Sequence, residues 1–248
     1  MIHIQFHDAV AEIRMDRPPA NALNHELIER LLAALETARM DGARAIILTG
    51  RPGMFSGGLD VPGLLGLDRR RIEGFWQLFF QLARQLASSP VPVIAALSGH
   101  APAGGAVLAL NCDHRIGIGG NFRIGLNEVR VGLPVPPSIL ATLVDVVGTN
   151  VGRRLAMRGE LLTMDEALAV GLVDELTTAE ELPSVARVRA TELLALPPVA
   201  MNTTRLAAKS RLLEALAGQN DAALATDWWF SAETQAGMQA LVGKLRKD

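Results

Sequence analysis

Apolar and polar residues alternate along Ile2–Phe6 and again along Val10–Met15, with His7-Asp8-Ala9 between them, which predicts the two strands of a hairpin. Beyond a proline-stiffened loop, Asp16 to Asn24, the pattern changes period. Leu27, Ile28, Leu31, Leu32 and Leu35 recur at helical spacing, and Asn24 stands where a helix starting at His25 needs its N-cap. Ala45–Thr49 and Val91–Leu97 are short continuous apolar runs, the signature of strands covered on both faces. Each leads into a glycine-rich turn: Phe55-Ser56-Gly57-Gly58-Leu59-Asp60 and Ser98-Gly99-His100-Ala101-Pro102-Ala103-Gly104-Gly105. A helical stretch from Arg70 to Leu86 follows the first turn, and Ala106 to Leu110 begins a helix after the second. Arg115–Ile118 reads as another strand, and 121–137 as irregular. From Ser138 onward the pattern is helical except at Val173–Leu176, and the last helix places Thr234, Met238, Leu241 and Leu245 on one stripe. The chain is α/β, a strand-rich first half followed by a helical second half.

Composition narrows the class. The 248 residues are 49% hydrophobic and 20% charged, as in a globular chain with a sizeable core, and no run approaches the roughly 18 apolar residues of a membrane span. The N-terminal stretch has neither the basic nor the apolar region of a secretory signal, so a bacterial cytosol or a matrix-like compartment is expected. A formal net charge of −2 with scattered arginines disfavours nucleic acid. The single cysteine, Cys112, excludes an internal disulfide and lies in an apolar run, as a buried inert thiol does.

Candidate chemistry is sparse. Gly117-Ile118-Gly119-Gly120 lacks the third glycine of a dinucleotide fingerprint, no phosphate loop is present, and His100 and His114 have no partners at metal-ligand spacing. Ser56 follows Met54-Phe55, without the glycine a nucleophile elbow needs. What remains is the pair of glycine turns, whose backbone N–H groups can approach a ligand closely and aim two donors at one oxygen. Glu128, in Ile124-Gly125-Leu126-Asn127-Glu128-Val129, is a carboxylate among apolar and glycine neighbours, where desolvation makes a stronger base. A solvated loop glutamate or an ion pair with Arg130 accounts for the same spacing.

Taken together, Arg17-Pro18 with Asn21-Ala22-Leu23-Asn24, the first glycine turn, Gly99 to Gly105, Cys112-Asp113 and Gly132-Leu133-Pro134 resemble, in this order and over the whole chain, the crotonase superfamily, or enoyl-CoA hydratase/isomerase family. The resemblance implies a ClpP/crotonase-like spiral of repeated ββα units, with residues 1–195 as the core holding an acyl-CoA site and 196–248 as a helical trimerisation segment. It implies an oxyanion hole from the backbone N–H groups of Leu59 and Gly104, and Glu128 as catalytic base. For coenzyme A it points to the Gly57 carbonyl, Phe230, Lys244 and Lys247, and for the acyl chain to Val107, Leu126 and Leu133. Asp60 is expected to cap the segment after the first turn.

Hydratases of the family carry a further glutamate three positions after the oxyanion glycine, where this chain has Val107. Hydration divides its proton work between two carboxyls, whereas shifting a double bond needs one. Pro102-Ala103-Gly104-Gly105, Gly125 to Glu128, and Phe230-Ser231 with Thr234-Gln235 and Met238 are similar to segments of mitochondrial-type Δ3,Δ2-enoyl-CoA isomerases. The expectation is such an isomerase, acting on a coenzyme A thioester without metal or nicotinamide, as a homotrimer or dimer of trimers. The alternatives are an enoyl-CoA hydratase or lyase with an acid recruited elsewhere, and a non-catalytic acyl-CoA-binding scaffold.

Overall fold

A computed structural model describes residues 1–218 and 220–245. The chain begins with the expected hairpin, β1 (Ile2–His7) paired antiparallel with β2 (Val10–Met15), and α1 (His25–Met40), whose first turn is capped by the Asn24 side chain accepting from Leu27 N at 2.9 Å. A ββα unit then repeats. β3 (Ala45–Thr49) and β4 (Gly53–Met54) lead to α2 (Val61–Leu64) and α3 (Arg69–Ala87); β5 (Val93–Leu97) and β6 (Gly99–Pro102) lead to α4 (Gly104–Leu110). β7 (His114–Ile118) and β8 (Arg123–Gly125) lead to a 3₁₀ turn, Glu128–Val131, and to α5 (Pro137–Val147). After α6 (Thr149–Arg158) come β9 (Leu162–Thr163), α7 (Met164–Ala169), β10 (Glu175–Thr177) and α8 (Leu182–Leu194). The chain ends in α9 (Pro198–Ala208), α10 (Ser210–Gly218), α11 (Asp221–Trp229) and α12 (Ala232–Leu245).

The first strand of each unit joins one sheet and the second joins another. The larger sheet has the order β1-β2-β3-β5-β7-β10, parallel from β2 onward, and the smaller has the order β4-β6-β8-β9. This is the spiral of repeated ββα units that the sequence pointed to. The central strands are covered on both faces, as their unbroken apolar runs require: Ile46 and Leu48 face one buried cluster with α1 and α3, while Ala45 and Ile47 face another under α8. α3 contributes an aromatic row, Phe75, Trp76, Phe79 and Phe80, against which Trp229 of α11 packs edge-on to Trp76.

Three details differ from the sequence reading. The second glycine segment is not a turn alone, because Gly99–Pro102 is a strand of the smaller sheet, paired with Gly53-Met54 just before the first segment. The two strands pair so closely that a Cβ on Gly99 would collide with the Gly53 backbone. α4 begins at Gly104 rather than Ala106, which puts the second turn's glycines inside its first turn. The stretch 121–137, read as irregular, holds β8 and the 3₁₀ turn, both too short to display a period.

Candidate active site

The first glycine segment is held by the proline-rich loop before α1. Arg17 N and the Asn21 side-chain oxygen form a 2.7 Å bond, and the Asn21 amide nitrogen donates to Met15 O and Phe55 O at 3.2 and 3.0 Å. Asn21 is fully buried and has φ 49°, a left-handed conformation that asparagine tolerates better than most residues. Leu23 N donates to Gly58 O and Asp60 N to Leu23 O, at 2.7 and 2.9 Å, so Leu23 bonds on either side of Leu59. The Leu59 N–H thereby has no acceptor among the described residues. Asp60 caps α2 through Gly63 N and also pairs with Arg17 Nη2 at 2.6 Å.

The second segment turns sharply at Ala103, with φ 47° and ψ −119°, a strained backbone for a residue with a side chain. The strain is held from both sides: Ala103 N donates to Gly125 O at 2.8 Å and Ala103 O accepts from Val107 N at 3.0 Å. The next amide, Gly104, opens α4, where an N–H has no intrahelical acceptor. The two segments touch. A Cβ on Gly58 would lie 3.4 Å from Gly104 N, and one on Gly105 would run into the Ser56 carbonyl. At Gly105 only glycine permits this approach, and Leu59 and Gly104 line one cavity.

That cavity, about 250 Å³, is lined by Gly57, Leu59, Gly104, Val107, Glu128 and Leu133, together with Trp76 and Phe79 of α3 and Met238 and Leu241 of α12. Glu128 is the only titratable side chain among its described lining residues. The carboxyl Oε2 is closed to solvent and has no hydrogen-bond partner. Burial pushes its pKa up to about 7, opposed weakly by its own backbone amide. Arg130, the alternative partner, turns away and donates through Nε to Gly159 O at 2.6 Å. Val107, 2% exposed, sits one helical turn beyond Gly104 and presents only methyl groups.

The remaining residues singled out in the sequence lie elsewhere. Leu126 is packed in the core and is not part of the lining. Phe230 stands outside the cavity, partly exposed, with the Arg69 guanidinium 5.3 Å from its ring centroid. Lys244 is exposed at the end of α12, and Lys247 lies outside the described residues. Cys112 is buried, and its thiol is pushed up to about 12 chiefly by that burial. Sequence reasoning missed the parts played by Asn21 and Ala103 and the contribution of α3 and α12 to the walls. A buried asparagine in a proline-rich loop was the one available signal. Among the described residues no cluster of side chains could hold a metal ion, and no helix is long and apolar enough to cross a membrane.

Leu59 and Gly104 thus line the same apolar cavity as a desolvated carboxyl, Glu128. Known proteins are similar in sequence and fold. The family model described as enoyl-CoA hydratase/isomerase matches residues 5–248. The human protein named enoyl-CoA delta isomerase 1, mitochondrial, is 34% identical over 217 residues, covering 86% of this chain and 72% of its own. The crystal structure of human mitochondrial Δ3-Δ2-enoyl-CoA isomerase superposes with a TM-score of 0.94 at 30% identity, covering 99% of this chain and 98% of the other. That of the enoyl-CoA hydratase EchA3 of Mycobacterium ulcerans gives 0.86 at 28%, with coverages of 92% and 99%. The chain belongs to the enoyl-CoA hydratase/isomerase family and has the crotonase fold.

Proposed function

We propose that the protein is a Δ3,Δ2-enoyl-CoA isomerase that works with one carboxylate. The observation that carries this reading is the lining of the cavity, where Glu128 is the sole titratable side chain among the described residues and Val107 occupies the place of a second acid. Glu128 takes a proton from C2 of a 3-enoyl thioester, and the electron pair moves to the thioester oxygen as a dienolate. The protonated Glu128 then returns the proton to C4, leaving the double bond between C2 and C3. A free carboxylate, with a pKa of about 4.3, is too weak for the first step, and two features help. Desolvation strengthens the base, and the Leu59 and Gly104 amides meet the oxygen as its charge forms, each worth roughly 3–4 kcal/mol. The step is complete without a metal or nicotinamide. The apolar walls keep water from the dienolate. At the other end of the substrate, Gly57, Phe230 and Lys244 are the proposed contacts of coenzyme A, in a homotrimer or dimer of trimers.

The test is to supply 3-enoyl-CoA and 2-enoyl-CoA separately and to follow the absorbance of the conjugated thioester. Formation of the signal from the first, with little loss from the second, is expected. Rapid loss from 2-enoyl-CoA without isomerisation would instead make the protein a hydratase with an unrecognised acid. Binding of both without turnover would make it an acyl-CoA scaffold.

A further inference from the structure

The C-terminal helix does more than cover the cavity. Met238 and Leu241 line the cavity, while Thr234 and Gly237, on the same helix, meet the turn that carries Glu128. The Thr234 side chain, fully buried, donates from Oγ1 to Gly132 O at 2.6 Å. Its own oxygen accepts from Ser231 Oγ at 3.0 Å, and Ser231 Oγ in turn accepts from Thr234 N at 3.2 Å, which fixes the hydroxyl's direction. One turn further on, Gly237 lies so close to Val131 that a Cβ there would collide with the Val131 carbonyl. On the other side of the contact Gly132, at φ 72°, ends the 3₁₀ turn, with Glu233 close to where its Cβ would be. The turn closes on Glu128 itself, since Leu133 N donates to Glu128 O at 3.1 Å.

We infer that Thr234 and Gly237 are positioning residues for Glu128, forming a latch by which the C-terminal helix holds the 3₁₀ turn at a fixed depth in the cavity. The inference rests on the reading of Glu128 as the base. Glu128 has no hydrogen-bonded partner at Oε2 to orient its carboxyl, so its aim depends on its main chain. That main chain is anchored through Gly132 and Val131 to α12 and through Arg130 to Gly159. A proton shuttle between C2 and C4 needs the carboxylate in reach of both carbons, and a shift of about 1 Å in such a group costs up to about a hundredfold in rate.

The experiment compares Thr234→Val, Thr234→Ser and Glu128→Gln in the isomerase assay, with kcat and KM measured separately and thermal melting in parallel. Thr234→Val keeps the shape and removes the donor to Gly132. Its kcat should fall about tenfold or more with KM within about twofold, and Thr234→Ser should restore it. If the valine variant does not fold, Ser231→Ala, which leaves the Thr234 donor in place but removes the Ser231 hydroxyl that bonds its Oγ1 and its N, takes its place with a smaller loss of kcat. Wild-type kcat in the folded variants, whatever their melting points, overturns the latch. An active Glu128→Gln overturns the reading of the base instead, so the two failures are distinguishable.

Discussion

Asp113 and Glu128 each line a cavity, and they have opposite surroundings. Asp113, its side chain 8% exposed, borders a cavity of about 720 Å³ between α8 and α9. It accepts from Val93 N at 2.8 Å and from Arg205 Nη1 at 3.1 Å, and Lys209 Nζ stands 2.6 Å away. Glu128 borders the smaller of these two cavities and, among the described residues, has no charged partner and no bond at Oε2. Volume therefore does not locate the chemistry. Asp113, bonded to Val93 N and paired with Arg205 and Lys209, ties a strand to helices, while Glu128 in apolar surroundings has its pKa raised by burial. The proposed reaction belongs to the smaller of the two cavities.

The comparison breaks most directly at Glu128. Replacing Glu128 by Gln keeps the shape and abolishes the proton acceptor, so kcat for isomerisation should fall by about a hundredfold to ten-thousandfold while acyl-CoA affinity is retained. Isothermal titration with a saturated acyl-CoA, alongside the rate assay, separates the two effects. Retained turnover would show that the proton is moved by another group.

At Asp113 the same kind of change should do the reverse. Asp113→Ala leaves Arg205, 9% exposed, and Lys209, 16% exposed, without their counter-charge. A cost of about 3–5 kcal/mol is expected for removing one partner of a buried ionic cluster. Urea denaturation measures it, and the fraction that remains folded should isomerise substrate at the wild-type rate. A stable variant with lost activity would move Asp113 into the reaction and undo the contrast.

The sequence made this contrast half visible. Glu128 was conspicuous because its neighbours are apolar and glycine, and Val107 because a hydratase would carry an acid there. Leu126, expected in the acyl pocket, packs in the core and is not among the residues that line the cavity. Asp113 gave no sign of its cluster, because Arg205 and Lys209 lie some ninety residues away and the pairing exists only in the fold. The long strands and α1 were legible from period and cap. The smaller sheet was not, since strands of two to four residues have no measurable alternation and depend on glycines whose value lies in a close approach. The strain at Ala103 is likewise invisible, because alanine carries no preference for φ 47°. The family resemblance supplied what spacing alone left open, namely which amides and which glutamate are proposed to act together.

The finest test of the contrast is the dependence of stability on pH. Burial raises the Glu128 carboxyl to about 7 from 4.5, so the folded protein holds this proton more tightly than the unfolded chain does. The stabilisation linked to that proton is complete below about pH 4.5 and is lost as pH rises through 7, where the folded protein must hold a bare charge in an apolar cavity. The loss amounts to at most roughly 3 kcal/mol, from about 1.4 kcal/mol for each tenfold change in proton affinity. A Glu128→Gln variant does not ionise there, so its unfolding free energy should match that of the wild type near pH 4.5 and exceed it increasingly up to pH 8. Activity should run the other way, with kcat/KM of the wild type rising through pH 7 as the base loses its proton. Parallel stability curves for the two proteins would mean that Glu128 is solvated or paired in solution. The carboxylate that costs the fold stability above neutral pH is then the one proposed to carry the reaction.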